Sequence, residues 1–501
     1  MSDGAVPAAP VTAPEPVGAT AMDKGLKTGA LGFISSVVIG VASTAPGYSI
    51  AASLGIVAAS VGFYSPAIMW VAFIPMFLIA GSYYAMNRVD PDCGTTFSWV
   101  TRGLGPLSGW ISGWALLVAD ILVMASLSQI AGAYTFLLFG ADGLAASKWW
   151  VLLVGVLWIA VMSWICYVGI EISARTQYFL LAAEVTVLVI FSVVALSRVY
   201  AGSFANSVHP SLSWLNPFTL SSGALSAGVL TAVFIYWGWD TAVAVNEETA
   251  DASRTPGRAA VVSTVLLLGI YVVVAIAAQA VHGAGFLTNH QDDVLSALGK
   301  DVLPGGLDKL LIIAVLTSAS ASTQTTILPA TRAALSMSVH KAAPKMFAAI
   351  NPRYLTPGIA TIWMGAVSIV WYVGLTLVST NILAGSIAAT GLAITFYLGI
   401  TGVACVWYFR HELLKSVRNF LIAGLGPAIG ALMLGYIFVK SCIDQANPAN
   451  ASSGSLFGIG APLAIGIVTL LVGIVLMIAQ RAVAPDFFQR TLETAEPGIE
   501  L

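Results

Sequence analysis

The sequence predicts an all-α membrane protein of 12 transmembrane helices, and three observations predict it. Of its 501 residues, 58% are hydrophobic and only 9% charged, with a mean hydropathy of +0.89. A soluble domain carries roughly 25% charged residues. Apolar stretches of bilayer length recur at about 29–59, 64–86, 107–138, 149–168, 177–198, 223–248, 258–281, 306–336, 357–377, 382–408, 419–440 and 458–480. Finally, the first and sixth stretches are interrupted in mid-membrane, with four uninterrupted stretches between them. Interruptions at corresponding positions of two halves are the mark of a 5+5 inverted repeat with its binding site at the breaks. The expected division is a tail over 1–22, five-helix repeats over 23–198 and 199–410, two peripheral helices within 411–480, and a tail over 481–501.

Charge orients the chain. Of its 21 Lys and Arg, only Lys148, Arg198, Lys300, Lys309 and Lys440 fall on one side of the predicted spans; the rest fall on the other. The basic side is therefore expected in the cytoplasm, with both termini there. The net charge of −2 comes with no basic stripe, which excludes nucleic acid as a partner. Four cysteines stand at no metal-ligand spacing and form no disulfide framework. Residues 1–22, rich in Ala, Pro and Val, read as a disordered tail and not a signal peptide.

The first stretch runs Val38-Ile39-Gly40-Val41-Ala42 into Ser43-Thr44-Ala45-Pro46-Gly47 before resuming at Tyr48. Pro lacks an N–H and Gly weakens a helix, so the turn favours a break. The sixth begins at about Ala224, meets Tyr236-Trp237-Gly238-Trp239-Asp240, and ends at Asn246-Glu247-Glu248. An Asp at the membrane centre costs about 2.5–3.5 kcal/mol on insertion scales. Broken backbone at that depth is tolerated only where it lines a cavity.

Asp120 lies midway along the third stretch, Glu184 in the fifth, and Glu247 and Glu248 close the sixth. No Lys, Arg or His stands in the middle of a span, so none of these carboxylates is expected to have a fixed basic partner. Each needs protonation, hydrogen bonds or a mobile cation. The eighth stretch carries Thr317, Ser318, Ser320, Ser322 and Thr323 at helical spacing. Most of these hydroxyls are expected on their own backbone carbonyls or a neighbouring helix, with one or two facing the first break and helping to hold a cation. The polar loop holding His290, Asp292, Asp293, Lys300 and Asp301 reads as a solvated external cap.

The run FIYWGWDTAVAVNEETADASRTPGRA resembles the sixth helix of the amino acid–polyamine–organocation superfamily. PDCGTTFSWVTRGLGPLSGWISGW resembles that family's junction of helices two and three, and GIEISARTQ its loop between helices four and five. PATRAALSMSVHKAAPKMFAAINPRYLTPGIA resembles the end of its helix eight and the entry to helix nine. The resemblance, over about 24–410, implies a LeuT-type fold with discontinuous helices one and six and substrate bound between the breaks. Two departures stand out. Amino-acid carriers of the family show a Gly-rich turn in helix one whose amides hold a carboxylate; here Pro46 lacks an N–H and the bracketing glycines are missing. Proton-coupled members resembling this chain carry a Lys where counting from Ser173 reaches Glu184.

These observations lead to a secondary-active permease of the cell membrane, working by alternating access on a small cationic or zwitterionic solute (an amino acid, amine or polyamine). H⁺ or Na⁺ is the expected coupling ion, and no cofactor, metal or catalytic residue is expected. Asp240 would meet the substrate ammonium, aided by cation–π contact with Tyr236, Trp237 or Trp239. Residues 43–47 would hold the other end, while Glu184, Asp120, Ser318 and Ser322 would serve coupling or gating. One alternative on the same fold is an inorganic-cation symporter. A membrane enzyme or sensor lacks its marks: no nucleophile–base pair, no His/Glu metal spacing, no appended soluble domain.

Overall fold

A computed structural model describes residues 23–291, 293–378, 382–450, 454–493 and 501. The tail expected over 1–22, Asp292 of the loop and residues 494–500 lie outside the described residues. The first pass is α1 (Phe33–Ser43) and α2 (Pro46–Val61). Ala45 between them sits at φ 48°, a left-handed conformation, and Pro46 then opens the second half. The sixth pass is α9 (Ser222–Tyr236) and the four-residue α10 (Thr241–Ala244). Uninterrupted passes two to five are α3 (Ser65–Val89), α5 (Pro106–Leu138), α7 (Lys148–Val168) and α8 (Ile170–Tyr200), with short α4 (Thr96–Leu104) and α6 (Asp142–Ala145) in their loops.

The second half continues with α11 (Thr255–Asn289), loop helix α12 (Val294–Val302), α13 (Lys309–Val339), α14 (Gly358–Val378) and α15 (Ile382–Tyr408). The last elements are the single turn α16 (Val417–Asn419), α17 (Gly426–Ala446), α18 (Ala461–Val483) and α19 (Pro485–Phe488). Eleven apolar stretches among the described residues are long enough to cross a bilayer; the first, Phe33–Val89, has 57 residues. That length exceeds a single crossing, and the turn at Gly62–Tyr64 divides it. Twelve passes result.

Burial separates core from periphery. The most apolar window of α13 is 83% buried, whereas that of α18 is 22% buried, so α13 is enclosed by protein and α18 faces lipid. Close helix approach follows from small residues: a Cβ on Gly132 of α5 would stand 2.4 Å from the Val151 carbonyl of α7. The loop between passes seven and eight keeps His290, Lys300 and Asp301 exposed, as expected of a solvated cap, and also packs inward. Its helix α12 buries Val294, Leu295, Leu298 and Val302. Asp293 accepts from the Tyr134 hydroxyl, and Arg198 donates to the carbonyls of Asp301 at 2.6 Å and Val302 at 3.0 Å. An apolar face every third or fourth residue, hidden among the loop's charges, makes it a packed plug.

Candidate functional site

The two helix breaks meet face to face. Gly238 has φ 117°, and a Cβ there would lie 2.7 Å from the carbonyl carbon and oxygen of Ser43. Both the dihedral and the contact therefore demand glycine. The Ser43 and Thr241 hydroxyls are 2.8 Å apart across the junction. Carbonyls freed where α1 stops are met by side chains: Ser322 Oγ donates to Ser43 O at 2.9 Å, and Ser49 Oγ to Thr44 O at 2.7 Å. Thr44 donates its own hydroxyl back to Val41 O at 2.7 Å. The Tyr271 hydroxyl reaches Ile235 O at 2.7 Å and lies 3.4 Å from Thr44 O, bridging the two breaks.

Asp240 is buried at the end of the second break, and Tyr397 on α15 donates its hydroxyl to Asp240 Oδ2 at 2.9 Å. The Trp237 indole N–H donates in turn to that hydroxyl. Trp237 is thereby coupled to the carboxylate. Tyr236 and Trp239 are committed elsewhere: Tyr236 packs edge-on to Tyr271, and Trp239 edge-on to Tyr83, each with centroids 5.0 Å apart. Among the described residues the Tyr236 hydroxyl and the Trp239 indole N–H nevertheless have no hydrogen-bond partner, whereas the Trp237 indole N–H is engaged by Tyr397.

Glu184 on α8 caps the first break. Its Oε1 accepts the Gly47 N–H at 2.6 Å and the Ser318 hydroxyl at 2.8 Å, while the Tyr48 N–H donates to Ser318 Oγ at 3.0 Å. An anion here lies on the positive end of α2. Among the described residues Glu184 Oε2 has no hydrogen-bond partner, nor has Asp120 Oδ2 on α5. Asp120 stands within Coulombic reach of Asp240, outside the junction itself. Among the described residues no Lys, Arg or His pairs with Asp120, Glu184 or Asp240.

The helix-eight hydroxyls divide as expected. Thr317, Ser320 and Thr323 bond to carbonyls one turn back, and Ser318 and Ser322 cross to the first pass. Tyr271, Tyr397, Ser49 and Thr241 were not singled out in the sequence. The signal for the two tyrosines was available, because a phenol in an apolar span needs a partner.

The expectation that no carboxylate has a fixed basic partner fails for Glu247 and Glu248. Arg332, fully buried on α13, grips Glu248 with two hydrogen bonds of 2.9 Å. Lys24 pairs with Glu247 and, at 2.9 Å, with Asp92 Oδ2. Both cations come from segments remote in sequence. Asp92 Oδ1 also accepts from Gly94 N–H, Ser98 and Ser336. Burial would push the Asp92 carboxyl up, but the Lys24 ammonium and the His340 contact hold it well below the ordinary carboxylate range. Burial raises Glu247 in spite of Lys24. Ligand atoms of Asp92, Cys93 and Glu247 lie within 4.8 Å of one another, a grouping fit for a cation, and the Lys24 ammonium supplies one. Leu31 joins this face by backbone bonds to Glu248 O at 3.0 Å and from Ala250 N–H at 2.8 Å.

Residues 29–470 match the model of the amino acid permease family. An uncharacterised transporter of Mycobacterium bovis is 25% identical over 439 residues, 86% of this chain and 89% of that protein. A branched-chain amino acid permease of Lactococcus lactis is 24% identical over 221 residues, 41% of this chain and 46% of that one. Among solved structures, the transporter MhsT in complex with L-phenylalanine superposes with a TM-score of 0.56 at 16% identity, covering 80% of this chain and 98% of MhsT. Two broken helices packed at their breaks inside a twelve-pass bundle, matched by that family model over most of the length, place the chain in the amino acid permease family of transporters, with the LeuT-type fold.

Proposed function

We propose that the chain is a secondary-active permease of the cytoplasmic membrane that carries a small amine-bearing solute by alternating access, reading its positive end first. The observation that carries this is Asp240, a buried carboxylate at the junction of two helix breaks with a tyrosine hydroxyl and, among the described residues, no cationic side chain for a partner. A substrate ammonium supplies the missing charge, and the Trp237 ring borders the same hydroxyl. The positive end of α2, where a substrate carboxylate would seek free amides, is already taken by Glu184. Amines and polyamines therefore fit as well as α-amino acids.

Glu184 then couples transport to protons: protonated, it releases its hold on the Gly47 amide and the Ser318 hydroxyl, and the first break is free to move. Asp120, buried on α5, is the second carboxyl assigned to coupling, and Ser318 and Ser322 tie α13 to that movement. The face bearing Lys24, Asp92 and Arg332 is the cytoplasmic one, by its excess of Lys and Arg. A second reading, import of an apolar zwitterionic amino acid, is favoured by the branched-chain permeases among the relatives. Uptake into liposomes by the purified protein, with a panel of amino acids and their decarboxylated amines under separate pH and Na⁺ gradients, decides between them. Amines matching their parent amino acids support the first reading, and a strict need for the α-carboxylate restores the second.

A further inference from the structure

Three arginines converge on one groove at the face rich in Lys and Arg. Arg88 lies in the last turn of α3, Arg258 in the first turn of α11, and Arg418 in α16, where the eleventh pass begins. Arg88 Nη1 donates to the Tyr84 hydroxyl at 3.2 Å, and Arg418 Nη2 donates to the same oxygen at 3.0 Å. The two nitrogens therefore stand no farther apart than those two distances summed. Among the described residues no carboxylate forms an ion pair with Arg88, Arg258 or Arg418. A phenol oxygen is a neutral acceptor and offsets little of the repulsion between guanidinium groups held this close. The buried cations of the same face are neutralised, Lys24 by Asp92 and Glu247 and Arg332 by Glu248. The three arginines are not.

Below them runs an apolar groove of 460 Å³ between α3, α11 and residues 420–426, lined by Tyr84, Arg258 and Arg418 at one end and by Phe77, Leu78 and Val262 along its length. Its wall is open on the lipid side, where Phe33, Phe77, Val262 and Leu421 are exposed. Phe77 lies twelve residues short of the end of α3, and Val262 seven beyond the start of α11. At 1.5 Å per residue they stand about 18 and 10 Å inward, and one leaflet of hydrocarbon is about 15 Å deep. The groove thus has the length of one leaflet, with its cations at headgroup depth.

That arrangement selects its occupant. A soluble anion would satisfy the arginines and leave the apolar wall unused. A second copy in the same membrane would bring the same three cations to the same depth, and like charge opposes it. A lipid with a negative headgroup satisfies both parts. Basic pockets between membrane helices recognise such headgroups, and the guanidinium fork matches a phosphate with two parallel donors.

We propose that this groove binds an anionic glycerophospholipid of the cytoplasmic leaflet, its phosphate held by Arg88, Arg258 and Arg418 and an acyl chain laid along α3. Phe33, which opens α1, also lines the groove. The lipid therefore fastens the eleventh pass to the first pass, which carries one of the two breaks. The site is separate from the helix junction and needs no cargo.

Native mass spectrometry of the full-length protein, titrated in detergent with phosphatidylglycerol, gives the affinity for the first bound lipid. Each arginine near an anionic headgroup tightens binding roughly fivefold, so Arg88→Gln with Arg418→Gln should weaken it roughly 25-fold. Arg353→Gln with Arg481→Gln removes the same charge from the same face away from the groove, and should stay within about twofold of the parent. Gly81→Leu tests the apolar part: its Cβ would meet only the Ile422 carbonyl oxygen, at 3.7 Å, so the side chain fits the groove and fills it. Displacing about two methylenes of the lipid should weaken binding roughly tenfold with every charge intact. Phosphatidylcholine with the same chains should bind at least roughly fivefold more weakly than phosphatidylglycerol, an arm that needs no variant. Thermal melts without added lipid identify any variant that is misfolded. Equal affinity for the two lipids, or an arginine variant within about twofold of the parent, overturns the proposal. Glycerol 3-phosphate competing as well as the lipid would make this a site for a soluble anion, and a dimer mass abolished by Gly81→Leu would make it an interface between copies; either result also overturns it. A protein that transports no solute but binds phosphatidylglycerol as described refutes the permease reading and leaves the lipid site standing.

Discussion

Replacing Asp240 by Asn isolates the charge at the helix junction. The side chain keeps its shape, and its carbonyl oxygen can still accept the Tyr397 hydroxyl now 2.9 Å away. What disappears is the negative charge that an ammonium would meet in a site closed to solvent. A hydrogen bond to a charged group contributes about 1.5–3 kcal/mol, and each 1.4 kcal/mol is tenfold in affinity. Amine binding should therefore weaken by roughly 10- to 150-fold. The apo protein should not lose stability, because a buried carboxylate without a cation contributes no net attraction of its own. Isothermal titration of the purified protein with the best amine of the uptake panel gives the affinity, and a thermal melt in the same detergent gives the stability. If Asp240→Asn binds that amine within about twofold of the parent, well short of the roughly tenfold lower bound, the ammonium is not held by Asp240 and the cation-first argument falls.

Glu184→Gln imitates the protonated carboxyl permanently, so accumulation driven by a pH gradient should vanish while exchange of internal for external solute survives; continued accumulation with unchanged pH response would make Glu184 a structural cap on the Gly47 amide. Gly238→Ala must adopt φ 117° and push a methyl to 2.7 Å from the Ser43 carbonyl, so the yield of folded protein should fall sharply in fluorescence-detected size-exclusion chromatography; a normal profile would mean the two breaks are less tightly joined. Arg332→Ala strands Glu248 in a fully buried position and should destabilise by about 3–5 kcal/mol, whereas Arg332→Met with Glu248→Leu should recover most of the loss; a melt that ranks the double variant below the single one would contradict this account of the pair.

Much of the architecture was legible because each bilayer crossing demands its own run of apolar residues, and the breaks advertise themselves through Pro46, Gly238 and Asp240. The number of passes and the interruptions in the first and sixth follow from that local chemistry. Helical spacing put five hydroxyls on the eighth pass without saying which would face the first break; the tertiary structure gives Ser318 and Ser322 their contacts with Glu184 and Ser43. Only the assembled bundle decided which partners complete the site. Tyr397 and Tyr271 reach the breaks from helices far along the chain, and nothing local in either helix names its partner. The same holds for Arg332 on Glu248 and Lys24 on Glu247 and Asp92. A charge pair formed across many residues leaves no spacing to read, so these carboxylates looked unpaired in the sequence. Helix periodicity records which face a side chain occupies; only packing determines what stands opposite it.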